Sequence, residues 1–231
     1  MAQYLFNPPE VQSLPIQGKQ ERFPINRLFF VGRNYHAHAV EMGRPVDKSV
    51  ERAFYFTKSR DTLVDSGATV AYPPETQNYH FEMELVIAIG KPGFRVAEDQ
   101  AHELIYGYAT GLDMTRRDLQ SDMKKTGKPW CIGKAFDHAS PIGPITPAAQ
   151  AGDITQAAIW LQVNGADRQR SNVAKLIWNV AETIEHLSAA WELQPGDLIY
   201  TGTPEGVAAV VAGDVLLGQV AGLSGLQVAV K

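Results

Sequence analysis

Along most of the chain, apolar residues fall in short runs of strand length, and only once do they recur at helical spacing over several turns. Leu28-Phe29-Phe30-Val31 predicts a short buried strand ended by Gly32, and Phe54-Tyr55-Phe56-Thr57 a second, followed by the turn signature Asp65-Ser66-Gly67. Residues 82–89 predict a strand in which Leu85, Val86, Ile87 and Ile89 follow two carboxylates. A short helix over 96–104 and a strand of small residues over 105–112 come next. Pro141 to Pro147, with three prolines, predicts a loop, and residues 159–164 a strand turning at Asn164-Gly165 into a hairpin. Val173, Leu176, Ile177, Val180, Ile184, Leu187 and Trp191 predict one long helix over 173–191, capped at Ser171 or Asn172 and stopped by Pro195-Gly196. Residues 34–42 predict a helical turn stopped by Gly43 and Pro45.

These elements do not alternate regularly as strand and helix, so a doubly wound or barrel layout is disfavoured and a sheet-rich α+β fold is expected. The 20 Gly and 14 Pro in 231 residues agree, favouring many turns. Residues 1–24 are polar and carry four prolines; they are expected to form an N-terminal extension, with residues 25–231 as one catalytic domain. A net charge of −4 disfavours nucleic acid as a partner. Cys131 is the single cysteine, so an intrachain disulfide or a cysteine-based zinc cluster is excluded, and its apolar neighbours predict a packed residue. No apolar run resembles a signal peptide or a membrane span, which makes the cytoplasm the expected setting.

Candidate chemistry concentrates in three segments. In His80-Phe81-Glu82-Met83-Glu84 the strand alternation aims Glu82 and Glu84 the same way, their Cα atoms about 6.5–7 Å apart, with His80 joining that face if the strand extends to it. Two converging carboxylates repel, and a divalent ion such as Mg²⁺ or Mn²⁺, which prefers oxygen ligands, resolves the conflict. Asp113 ends the small-residue strand, where a pocket would open and where it could complete a three-carboxylate site; a plain helix cap is the alternative. His38 and Glu41 are three residues apart and share a helical face. That spacing suits an imidazole general base oriented by a carboxylate, although a surface pair has the same spacing. Lys134 follows a tight Gly133, and the loop Thr201-Gly202-Thr203-Pro204-Glu205-Gly206 offers hydroxyls and backbone N–H groups to a carboxylate.

Five ordered stretches resemble the fumarylacetoacetate hydrolase family, in particular its short acylpyruvate and fumarylpyruvate hydrolases. They are residues 31–35 (Val-Gly-Arg-Asn-Tyr), His80-x-Glu82-x-Glu84, residues 112–120 (Leu-Asp-Met-Thr-x-Arg-Asp-x-Gln), Lys134-x-Phe136-Asp137, and residues 196–207 from Gly-Asp through Thr-Gly-Thr-Pro. The resemblance runs from about Leu28 to the C-terminus. It implies Glu82, Glu84 and Asp113 as ligands of Mg²⁺ or Mn²⁺, and His38 with Glu41 as catalytic dyad. Gln120 and Lys134 are implied to contact substrate or the developing oxyanion, and Arg33, Arg117 and Thr203 to bind substrate or support the site. It also implies a mixed β-roll, a homodimer and a small anionic 2-oxo acid as substrate. His36-Ala37, Ser59 and Phe81 depart from the family pattern, the first two bearing on the pocket entrance and substrate range.

Three carboxylates and one dication leave such a site at −1, so Arg33, Arg117 and Lys134 are expected to supply further positive charge. A second carboxylate on the substrate, as in fumarylpyruvate, would need its own partner. Arg44, Arg116, Lys124 and Lys125 are candidates among which the sequence does not choose. Two rival functions share these residues: metal-dependent decarboxylation or isomerisation of a 2-oxo diacid such as oxaloacetate, and a non-catalytic metal- or ligand-binding domain. The presence of both His38 and Glu41 favours hydrolysis.

Overall fold

The computed structural model describes residues 3–231. Among these the central layer is an eight-stranded mixed sheet. Its middle is Leu28–Gly32, Leu198–Tyr200, Met83–Ile89 and Ile105–Leu112 in that spatial order, flanked by Phe54–Lys58 on one side and Ser140–Ile142 and Leu63–Asp65 on the other. A five-stranded sheet packs against it, running from Ala166–Asn172 through Ala158–Val163, Val215–Val220 and Leu226–Val230 to Thr69–Val70. The expected sheet-rich α+β roll is therefore observed.

Met83–Ile89 reads as an almost unbroken apolar run because both of its faces are covered. Met83, Leu85, Ile87 and Ile89 enter the larger core, where Leu161, Leu216 and Val228 of the second sheet meet them. Val86 and Ala88 face a smaller core with Phe30, Leu198 and Tyr200. Leu14 and Phe23, from the hairpin Ser13–Pro15 and Arg22–Pro24, close that smaller core. Glu84 shares the Val86 face, so strand alternation delivers a carboxylate to the end of a buried apolar layer. At Asn164-Gly165 both residues take positive φ (52° and 79°), the geometry a two-residue hairpin turn needs.

Three expectations need correction. The long helix over 173–191 is broken: Val173–Lys175 is a 3₁₀ turn, and the α-helix is Val180–Ala190. Asn34 is the reason. Its side chain donates to the carbonyls of Trp178 (2.9 Å) and Thr201 (2.8 Å) and accepts from the Trp178 N–H (2.7 Å), while the Ile177 N–H donates to the Asn34 carbonyl. Backbone groups engaged across the fold cannot also close helical rings. The helix then starts afresh at Asn179, which forms a capping box with Glu182. The segment Pro141 to Pro147 is not a bare loop, since Ser140–Ile142 and Thr146–Pro147 pair with Ile105–Leu112. The helix over 96–104 is a 3₁₀ stretch, Glu98–Leu104. No helix among the described residues is long and apolar enough to cross a membrane.

Candidate active site

The carboxylates of Glu82, Glu84 and Asp113 converge, with one oxygen from each within 4.8 Å of the others, and all three residues are buried. Glu82 precedes the strand Met83–Ile89, Glu84 lies in it, and Asp113 follows the neighbouring strand Ile105–Leu112. The Asp113 N–H donates to the Glu82 carbonyl, locking the two strand ends together (2.9 Å). The small residues before Asp113 have a packing reason: a Cβ on Gly111 would lie 2.7 Å from Cε1 of the buried Tyr200 ring.

The three acids sit in very different fields. Burial raises Glu84, and the negative charges of Asp113 and Glu82 push it further, well above the usual carboxyl range. Burial would also raise Glu82, but Lys134, Arg117 and His38 more than offset it and hold it well below that range. Lys134 Nζ donates to Glu82 (2.9 Å) and to Asp113, and Arg117 Nη2 donates to Glu82. A site that disfavours a third buried negative charge in the absence of a cation, and presents only oxygen donors, fits a hard divalent ion such as Mg²⁺ or Mn²⁺.

Behind the cluster stands a residue that the sequence reading did not assign to it. Lys58, at the end of Phe54–Lys58, is fully enclosed, with Nζ 2.6 Å from Asp113 Oδ1 and donating to the carbonyls of Ala139 (2.8 Å) and Met114 (3.1 Å). Burial lowers it to about 8, against the pull of Asp113. A lone lysine closing the aromatic run Phe54-Tyr55-Phe56 was the available signal. Lys58→Met leaves Asp113 Oδ1 without its buried counter-charge, with Lys134 remaining on Oδ2, and should lower stability by up to about 3–5 kcal/mol; a denaturant midpoint equal to that of the unsubstituted protein would contradict it.

His38 and Glu41 do meet. On the helix His36–Glu41, His38 Nδ1 lies 3.2 Å from Glu41 Oε2, and the imidazole is buried at the cavity wall while His36 faces solvent. Glu41 also accepts from the Gly206 N–H (3.2 Å). The 201–206 loop thus uses its backbone donors on the protein's own carboxylates, since the Gly202 N–H donates to Glu84 Oε2 (2.8 Å). The carboxylates that these backbone donors meet are thus the protein's own. Gly202 is needed there: its φ is +96°, and a Cβ would lie 2.8 Å from Asn34. Thr203 does reach the cavity, its hydroxyl accepting from the buried Gln169 amide (2.8 Å). Gln169, also absent from the sequence reading, ties Thr203 to the Met83 N–H (2.9 Å) and carried no local signal.

Arg117 and Gln120 open the helix Arg117–Thr126, and Arg117 Nη1 donates to Gln120 Oε1 (2.7 Å), leaving the Gln120 amide N–H groups for the cavity. A Cβ on Gly133 would lie 2.8 Å from the Gln120 N, so that glycine lets the short helix Cys131–Lys134 press close and bring Lys134 beside Gln120. Arg33 also lines the cavity, with φ 54° and an ion pair to Glu51 (3.1 Å). The strand Met83–Ile89 does not extend to His80, which lies on a separate strand Tyr79–His80, because the chain leaves the ladder at Phe81–Glu82. There it contacts Asn78 (2.7 Å), and burial lowers it to about 4. Cys131 is exposed rather than packed, since its helix turns Gly133 and Lys134 inward.

The carboxylates, His38, Gln120, Lys134, Arg33, Arg117 and Thr203 all line one cavity of about 320 Å³, a size suited to a small molecule, with Glu41 reaching it only through His38. Residues 27–231 match the family model described as fumarylacetoacetate (FAA) hydrolase C-terminal. A fumarylpyruvate hydrolase from Ralstonia sp. is 66% identical over 189 residues, covering 82% of this chain and 98% of that protein. An oxaloacetate tautomerase from Escherichia coli is 36% identical, covering 87% and 90%. The crystal structure of a fumarylpyruvate hydrolase from Pseudomonas aeruginosa in complex with Mn²⁺ and pyruvate superposes with a TM-score of 0.95 at 53% identity, covering 99% of both chains. By model match, sequence and fold together, this chain belongs to the fumarylacetoacetate hydrolase family.

Proposed function

We propose that the protein is a divalent-metal-dependent hydrolase of the carbon–carbon bond in an acylpyruvate, with fumarylpyruvate, converted to fumarate and pyruvate, as the preferred substrate. The observation that carries this is the convergence on a single cavity of the Glu82–Glu84–Asp113 cluster and His38, whose Nδ1 meets Glu41. The 66% identity to a fumarylpyruvate hydrolase supports the choice of acyl group.

Glu82, Glu84 and Asp113 would hold the ion, which when bound supplies Lewis-acid charge stabilisation to the 2-oxo acid end of the substrate. His38, with Nδ1 engaged by Glu41, takes a proton from water at Nε2, and that water attacks the distal carbonyl carbon. Glu41 keeps the ring in the required tautomer and stabilises it once protonated. Lys134 and the Gln120 amide donate to the oxyanion. As the tetrahedral centre collapses, the bond between C3 and C4 breaks. Its electron pair leaves as the enolate of pyruvate, which takes the proton held by His38 to give pyruvate, and the attacked carbon leaves as the carboxylic acid, which releases its proton to solvent as the carboxylate forms.

The electrostatics favour an anionic substrate more strongly than the carboxylate count alone suggests. Lys58, Lys134 and Arg117 already pair with Asp113 and Glu82 and match the three acids in number, so a bound dication leaves the site positive. The proposal includes a cytoplasmic homodimer, with residues 1–24 an extension on a catalytic body of 25–231. The exposed side chains of Tyr4, Leu5, Phe6 and Val11 are consistent with a further subunit, and sedimentation reads the assembly directly.

The second reading is isomerisation or decarboxylation of oxaloacetate, suggested by tautomerase relatives at 35–37% identity. Those reactions need no attacking water. A panel of fumarylpyruvate, acetylpyruvate and oxaloacetate, followed by loss of enol absorbance with Mn²⁺, with Mg²⁺ and after chelation, separates the readings. Acylpyruvate cleavage that stops on chelation is the expected result; turnover of oxaloacetate alone would overturn the proposal.

A further inference from the structure

Four cations were open candidates for a second substrate carboxylate, and the structure sorts them. Arg116 turns away from the cavity, stacking its guanidinium 4.4 Å from the Phe136 ring centroid and donating to the Ile132 carbonyl. Lys125 is exposed and paired with Asp122 (3.3 Å). Arg44 and Lys124 line the cavity.

Of the five cations on the cavity wall, three are occupied. Arg117 and Lys134 hold Glu82 and Asp113, and Arg33 pairs with Glu51. Among the described residues no carboxylate makes an ion pair with Lys124 or Arg44. Lys124 is nevertheless half-buried, its ammonium held 4.8 Å from the Trp130 ring centroid. A desolvated cation seated on an aromatic face and lacking a counter-ion is a ready anion site.

Its place along the helix is also informative. Arg117, Gln120, Ser121 and Lys124 all line the cavity and fall at helical spacings of three, four and seven, on one face of Arg117–Thr126. From Arg117 at the carboxylate cluster to Lys124 the helix rises about 10.5 Å, comparable to the reach of an extended dicarboxylate with one end at the cluster.

We propose that Lys124, seated on Trp130 with Arg44 as its companion, binds the far carboxylate of a diacid substrate and makes the site select dicarboxylic acylpyruvates over monocarboxylic ones. This rests on the acylpyruvate reading above and deepens it by assigning the acyl-group subsite. Charge at Lys124 is tuned by its surroundings. Burial lowers it to about 8, aided by Arg117, Lys134 and Arg44 and opposed by Glu82. The ammonium is therefore lost as pH rises through about 8, and selectivity fades with it.

The test compares fumarylpyruvate with acetylpyruvate on the Mn²⁺-loaded protein and on Lys124→Met, with Lys125→Met as the control. Removing the ammonium should raise KM for fumarylpyruvate by about 10- to 100-fold with little change in kcat, and leave acetylpyruvate unaffected. Lys125→Met should alter neither substrate. In the unsubstituted protein the ratio of kcat/KM for fumarylpyruvate to that for acetylpyruvate should fall as pH passes about 8. Equal losses on both substrates, or none on either, would overturn the subsite, as would a ratio that is flat with pH. If Lys124→Met does not fold, Lys124→Gln and the pH ratio carry the test. If neither compound is turned over, the hydrolase reading fails by itself, and titrating the same two compounds into both Mn²⁺-loaded proteins still reads the subsite through the loss of diacid affinity alone.

Discussion

Glu84→Gln is expected to abolish divalent-ion binding and turnover together while making the metal-free protein more stable. The substitution removes one of three oxygen anions from the cluster, yet the amide oxygen can still accept from the Gly202 N–H that now meets Glu84 Oε2 at 2.8 Å. What it relieves is a buried charge that the fold disfavours: burial, Asp113 and Glu82 all push the Glu84 carboxyl above its ordinary value of 4.5. The sign for pH follows. A carboxyl raised in the fold binds its proton more tightly than in the unfolded chain, so its contribution is present below about 4.5 and is lost as pH climbs through the higher folded value. The metal-free protein should therefore lose stability on the alkaline side of that point. Mn²⁺ should restore it by mass action, and Glu84→Gln should flatten the curve. In a chain of this length each kcal/mol relieved raises Tm by about 2–4 °C. Thermal melts across pH, with and without Mn²⁺, together with direct Mn²⁺ titration, check all three statements. Undiminished Mn²⁺ affinity in the variant would remove Glu84 from the metal site.

His38→Ala should have the complementary signature, with kcat reduced by about 10²- to 10⁴-fold and Mn²⁺ affinity unchanged. The imidazole contributes a proton acceptor at the cavity wall and no ligand atom to the carboxylate cluster, so the two readouts separate. Glu41→Gln should cost less than His38→Ala, because the amide can keep the ring oriented but cannot stabilise its protonated form. A His38→Ala enzyme that still cleaves acylpyruvates at the original rate would exclude the dyad from proton transfer, whatever its effect on KM.

The two variants divide the cavity into an electrostatic half and a proton-transfer half. The division follows from construction. Glu82, Glu84 and Asp113 stand at the ends of adjacent central strands, where backbone pairing holds them rigidly. His38 stands on a separate short helix, tied through Glu41 to the Gly206 N–H of the 201–206 loop. Rigid strand ends suit an ion that needs fixed oxygens, and a separate helix lets the base be placed without disturbing them.

Read alone, the chain determines the strand-rich architecture, the convergence of Glu82 and Glu84, and the His38–Glu41 pairing. All of these are local: a period of two along Met83–Ile89, and a spacing of three on one helical turn. Distant partners were decided only in three dimensions. The apolar spacing over 173–191 is helical throughout, yet Asn34, far away in sequence, claims the backbone at 177–178 and breaks it. His80 keeps the strand spacing to Glu82 but leaves the carboxylate face, because its own strand pairs with Thr115–Arg116 and Ala209–Val210. Lys58 enters the site because Phe54–Lys58 lies at the sheet edge beside Leu28–Gly32, with its last side chain turned under Asp113. Lys124 and Lys125 differ by one position in sequence, and only the rotation of a packed helix puts one in the cavity and the other in water. Periodicity reports which face a side chain shares. What that face meets depends on pairings between remote segments, which no local spacing encodes.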